Sequence, residues 1–104
     1  MIIVTKEAAE QIRHSAKQVQ MEGMPLRIAA QRQQDGSIHY AVGFADDERD
    51  EDLHFKSEGI EIIVSPMSLD LVTNMVVDFV ELDSGEKEFI FKNPNDPNYK
   101  PTDA

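Results

Sequence analysis

Ile2, Ile3 and Val4 open the chain as a run of three β-branched residues, which predicts a short strand. Thr5 follows as a helix N-cap, and Glu7 sits in the first turn, where the helix dipole favours negative charge. Ala8, Ala9, Ile12, Ala16 and Val19 then recur at helical spacing, while Lys6, Glu7, Glu10, Arg13 and Lys17 take the opposite face. The predicted helix is ended by Gly23 and Pro25.

From Leu26 the period falls to two. Leu26, Ile28 and Ala30 alternate with Arg27, Ala29 and Gln31, and Ile38, Tyr40, Val42 and Phe44 repeat the pattern beyond Asp35-Gly36. A two-residue Asp-Gly loop would set Ile28 against Gly43 and turn Val42 to the opposite face. A three-residue loop, Gln34-Asp35-Gly36, pairs Leu26 with Phe44, Ile28 with Val42 and Ala30 with Tyr40. It also puts Gly36 where a left-handed residue is required, so the three-residue loop is the predicted one.

The stretch from Asp46 to Asp52 is too charged for burial and predicts a surface loop. Leu53 and Phe55 resume the alternation, and Ile60, Ile62 and Val64 continue it. A loop from Lys56 to Gly59 would pair Phe55 with Ile60 and Leu53 with Ile62, with His54 opposite Glu61 on the outer face. Ser65-Pro66 marks a second helix start, running to about Thr73, with Asn74 as a left-handed stop. The last hairpin turns at Asp83-Ser84-Gly85, which pairs Phe79 with Phe89, Val77 with Phe91 and Glu81 with Lys87. After Lys92 the chain becomes rich in proline and asparagine. The expected organisation is one domain over 1–95 and a flexible tail over 96–104 that lacks the apolar content to order itself.

Charge narrows the function. Twenty acidic against ten basic residues give a net charge of −10 over 104 residues. That excess repels phosphate backbones, and the basic residues are scattered, so no nucleic-acid partner is expected. A basic protein partner and a charge-repelled, freely soluble state both fit better. The chain has no cysteine, which removes disulfides, thiolate metal ligands and thiol catalysis together. The N-terminal apolar run is too short for a signal peptide, and no stretch approaches the ~20 apolar residues of a membrane span. A cytoplasmic location without membrane contact is the expectation.

The order of elements resembles the A-type iron–sulfur carriers, the HesB/IscA-like family. The likeness is carried by Ile3-Val4-Thr5, Pro25-Leu26-Arg27-Ile28, Asp52-Leu53-His54-Phe55, Gly59 to Val64, Ser68-Leu69, Val77-Asp78-Phe79-Val80 and Phe89-Ile90-Phe91-Lys92-Asn93-Pro94-Asn95. The closing Phe-x-x-x-Asn-Pro-Asn run is its most specific part. The resemblance implies an α+β fold, mainly β: a compact twisted mixed sheet or sandwich with two helices, assembling in the family as dimers or tetramers. Its function rests on three cysteines, one in the first long hairpin loop and two in the C-terminal tail. Those positions are Asp35, Lys100 and Thr102 here, so no cluster and no other cofactor is expected. With the metal crosslink gone, a monomer or weak dimer is expected. Cysteine-less relatives are associated with sulfur oxidation, so the resemblance implies an interaction or regulatory protein of that system. The alternative is a residual role in cluster assembly, through iron binding or through a cysteine-bearing partner.

The remaining candidates are weaker. Asp35 and His39 lie near the old ligand position, yet Asp before Gly is a preferred loop residue, and two ligands fall short of a site. His14 lies off the centre of its helix stripe. No Ser–His–Asp set, nucleotide loop or His-Glu motif can be assembled, so an enzyme is not expected. Met21, Met24, Met67 and Met75 read as core or edge fillers. The acidic loop, with Asp46, Asp47, Glu48, Asp50, Glu51 and Asp52, reads first as a solvated turn and second as a docking surface for a basic partner. Tyr99, an aromatic residue in a tail without a core, reads as either a loose residue or a partner anchor.

Overall fold

The computed structural model describes residues 2–47 and 49–97. Thr5 caps the first helix as predicted: its Oγ1 accepts from the Ala8 N–H at 3.2 Å. That helix, α1 (Lys6–Gln18), follows β1 (Ile3–Val4) and buries Ala8, Ala9, Ile12 and Ala16. It ends before Gly23. Gln20 adopts φ 58°, and the N–H groups of Gln20 and Met21 donate to the Lys17 and Ala16 carbonyls. This is a Schellman closure with glutamine in the place glycine usually takes. Val19 therefore leaves the apolar stripe and is 56% exposed, which corrects its assignment to the core face.

The next strands, β2 (Leu26–Arg32) and β3 (Ile38–Phe44), pair in the predicted register: Leu26 with Phe44, Ile28 with Val42 and Ala30 with Tyr40. Gly36 has φ 89° in the loop. A different turn joins β4 (Leu53–Ser57) to β5 (Ile60–Val64). Glu58 and Gly59 have φ 51° and 78°, the two left-handed residues of a type I′ turn. Phe55 then pairs with Ile62, Leu53 with Val64, and His54 with Ile63 rather than Glu61. The predicted register was two residues off because Ser57 stays in the strand. Its Oγ accepts from the Val4 N–H at 2.9 Å and donates to the Val4 carbonyl at 3.3 Å.

The second helix, α2 (Pro66–Val72), has Ser65 at its N-cap, but the Ser65 side chain makes no capping bond. It donates to Ser68 Oγ instead, and buried Ser68 accepts from the Ala30 N–H and donates to the Ala30 carbonyl. One serine thus satisfies both backbone groups of a β2 residue that lies beyond the β2–β5 pairing. Asn74 has φ 66°, the predicted stop. The final hairpin, β6 (Val76–Glu81) and β7 (Lys87–Lys92), has the predicted pairs Phe79–Phe89, Val77–Phe91 and Glu81–Lys87, with Gly85 at φ 88°.

The strands form two sheets, β1-β6-β7 and β3-β2-β5-β4, with parallel β1–β6 and β2–β5 contacts. Ile2, Val4, Ile28, Ile62, Val64, Met75 and Val77 fill the space between them with Ala8, Ala9 and Ile12 of α1. The result is the expected α+β class, mainly β, with two helices.

Candidate functional site

The hairpin tip between β2 and β3 and the start of the C-terminal segment meet at one end of the molecule. A Cβ built on Gly36 would stand 4.0 Å from Pro97 Cγ, so the Asp35 loop lies beside the chain that leads to Lys100 and Thr102. Tyr99, Lys100 and Thr102 lie outside the described residues, as does most of the predicted 96–104 tail.

Asp35 is engaged within its own loop. Its Oδ1 accepts from the Ser37 N–H at 3.0 Å and from the Ser37 hydroxyl at 2.6 Å, and these bonds hold its carboxyl below the usual range. Arg32 closes the same turn by donating to the Gly36 carbonyl at 2.8 Å. His39 faces solvent on the outer side of β3, and His14 and His54 are exposed elsewhere. Among the described residues, no three His, Cys, Asp or Glu side chains come together to hold a metal.

What anchors this end is Asn93, which sequence reasoning valued only as part of a motif. It is fully buried. Its amide nitrogen donates to Tyr40 Oη at 2.9 Å and to the Leu71 carbonyl at 2.6 Å, and its Oδ1 accepts from the Asn95 N–H at 3.0 Å. Asn95 in turn donates to the Thr73 carbonyl, and the Tyr40 hydroxyl donates to Asp96 at 3.1 Å. The Asn-Pro-Asn run thereby ties the exit of β7 to the end of α2 and to β3. Ordered contacts reach Asp96, one residue into the segment expected to be a free tail. The signal for this role was an amide-rich run directly after an apolar strand.

The acidic loop divides in two. Asp46, Asp47, Asp50 and Glu51 are exposed, whereas Glu48 lies outside the described residues. Asp52 is buried, which corrects its placement on a solvated docking surface. Arg27 Nη2 and Nη1 donate to its two oxygens at 2.7 and 3.2 Å, and the Arg49 N–H donates at 2.9 Å. The Arg27 hydrogen bonds first, then the Arg49 N–H, pull its pKa from 3.8 to about 2. Arg27 also donates to the Asp47 carbonyl, so this pair pins both arms of the loop against β2.

A family model described as iron–sulphur cluster biosynthesis matches residues 1–102. The chain belongs to that family. It is 31% identical over 96 residues to the iron–sulfur cluster insertion protein ErpA of Alkalilimnicola ehrlichii, covering 90% of this chain and 76% of that one. It is likewise 31% identical over 74 residues to the iron-binding protein IscA of Serratia proteamaculans, covering 71% and 68%. Its fold superimposes on that of IscA with a [2Fe-2S] cluster at TM-score 0.76 and 25% identity, over 90% of this chain and 86% of that one. Escherichia coli SufA shares the fold at TM-score 0.74 and 23% identity, covering 96% and 86%.

The family's cargo does not suit this member's donor set. Protein-bound iron–sulfur clusters are held chiefly by thiolates, and this chain has no cysteine. At the hairpin tip, Oδ1 of the Asp35 carboxylate accepts both bonds from Ser37. No helix among the described residues is long and apolar enough to cross a membrane.

Proposed function

We propose that this protein is a non-catalytic member of the iron–sulphur cluster biosynthesis family that has lost cluster binding and acts by binding another protein. The absence of cysteine from a chain that otherwise keeps the family fold carries this reading. The hairpin tip and the C-terminal segment still meet, but the groups brought there are a carboxylate closed on its own loop and a buried amide network. Neither offers a thiolate. We assign its setting to the cytoplasm and to bacterial sulfur oxidation, on the resemblance of a cysteine-free chain to relatives of the DsrR type.

A second reading keeps the protein in cluster assembly, as a companion of a cysteine-bearing carrier. Its support is the preserved family fold. Deleting the gene in its host separates the two. The first reading predicts impaired oxidation of reduced sulfur with other iron–sulfur enzymes at normal activity. A general fall in iron–sulfur enzyme activity would instead favour the companion role.

A further inference from the structure

The two sheets leave a seam open on one side. Strand β3 ends one sheet and β7 ends the other, and between them lies a cavity of about 180 Å³ whose lining includes Ile12, Val42, Phe44, Phe89 and Phe91. Tyr40 stacks on Phe91 across the seam, with ring centroids 4.8 Å apart. Beside the cavity, Val42 remains 42% exposed among the described residues.

Hydrogen-bond alternation identifies the backbone groups that β3 turns away from β2. The Gln33 N–H donates to the Ser37 carbonyl at 2.7 Å, and the Ala45 N–H donates to the Pro25 carbonyl at 3.0 Å. Bonded pairs therefore fall on every second position from both ends: Gln31–His39, Ala29–Ala41 and Arg27–Gly43. The N–H and C=O groups of Tyr40, Val42 and Phe44 point outward, on the same residues whose side chains face the seam.

Strand edges of this kind are normally blunted by charge, proline, a bulge or shortness. β3 has seven residues, Ile-His-Tyr-Ala-Val-Gly-Phe, and its pairing with β2 runs without a bulge. It contains no Lys, Asp, Glu or Pro. The edge strand β7, by contrast, carries Lys87, Glu88 and Lys92. An open edge beside an apolar cavity is the arrangement that accepts an added strand, with the backbone giving affinity and side-chain pockets giving selectivity.

Charge selects the occupant. β3 runs directly into Ala45, Asp46 and Asp47, and both aspartates are exposed, in a chain of net charge −10. A second copy or a nucleic acid would bring more negative charge to this edge, whereas a basic segment is drawn to it. We propose that β3 is a strand-addition site for an extended segment of a partner protein. The segment pairs with the outward groups of Tyr40, Val42 and Phe44 and sets an apolar side chain into the cavity beside Val42. It carries Lys or Arg where it passes Asp46 and Asp47. This rests on the protein-binding reading above and names the chemistry of the partner.

The test uses the full chain to select from a displayed library of random short peptides, followed by titration of the enriched sequences into isotope-labelled protein. Enriched peptides should alternate apolar residues and carry Lys or Arg at one end, the N-terminal end if antiparallel to β3 and the C-terminal end if parallel. They should shift the amides of Ile38 to Phe44 and Phe89 to Phe91. Val42→Pro removes an outward N–H without costing a bond to β2 and should weaken binding about tenfold or more. Val42→Lys, which places a positive charge at the seam, serves as an independent block. Asp46→Lys with Asp47→Lys should weaken basic peptides more than neutral analogues. Peptides that shift other residues would overturn the strand-addition site while leaving the protein-binding reading intact. The site is overturned equally if no sequence is enriched, or if the β3 amides shift with protein concentration alone, which would give the edge to a second copy.

Discussion

Asn93 concentrates the polar contacts of the C-terminal end in one buried side chain. Replacing it with alanine removes the donor to the Leu71 carbonyl and the Tyr40 hydroxyl and the acceptor of the Asn95 N–H, around a side chain that is itself fully buried. Asn93→Ala should lower stability by about 2–3 kcal/mol, read from urea denaturation, because unmet buried polar groups cost more than a hydrogen bond contributes. Asp52 gives a pH signature instead. Its folded pKa of about 2 lies below its ordinary 3.8, so the unfolded chain binds the proton more readily in that window. The stabilisation is present above about pH 4 and is lost as pH falls toward 2. Asp78 adds to the same trend. Burial raises its pKa, but bonds from the Thr5 hydroxyl, Lys92 and the Phe79 N–H outweigh burial and lower it. The urea midpoint should therefore fall on acidification, and Asp52→Asn should flatten that fall while lowering the midpoint at neutral pH. An unchanged acid profile in the variant would mean that the Arg27–Asp52 pair contributes nothing to the pH dependence. Neither role was legible residue by residue. Asp52 closes a run of charged positions with nothing local to distinguish it, and its partner Arg27 lies on β2, 25 positions earlier.

At the scale of elements, legibility followed the information that a hairpin carries locally. The β2–β3 and β6–β7 loops each contain one glycine at a position that alternation alone would choose, and both registers agree with the structure. Gly36→Val and Gly85→Val should each destabilise the fold by about 1 kcal/mol or more, since φ near 90° strains any residue with a Cβ. Equal denaturation midpoints for the variants and the parent chain would contradict the left-handed turns. The β4–β5 hairpin was not legible to the same degree. Registers two residues apart keep every side chain on its own face, so the hydrophobic pattern cannot separate them. The choice was made by the Ser57 contact with Val4, fifty-three positions away in sequence. The end of α1 escaped for a related reason, because nothing in glutamine announces the left-handed turn that Gln20 makes.

For the whole molecule, the order of elements was readable from the changes in apolar period along the chain, whereas the two-helix mixed-sheet architecture was implied by the family resemblance. The joining of the Asp35 loop to the C-terminal segment was not readable from pattern, since it depends on Asn93 reaching α2 and Tyr40 across the chain. This end of the molecule is a family scaffold emptied of its thiolates. On the proposed loss of the cluster, sedimentation at micromolar concentration should show a monomer or a weak dimer, whereas a persistent tetramer would mean that assembly does not need a metal link. The most direct test of the proposed cluster loss is anaerobic reconstitution of the full chain with iron and sulfide, followed by desalting and visible absorption. With no cysteine in the chain, the protein should emerge colourless, without bound iron or sulfide. A stable chromophore with stoichiometric iron and sulfide would contradict that loss.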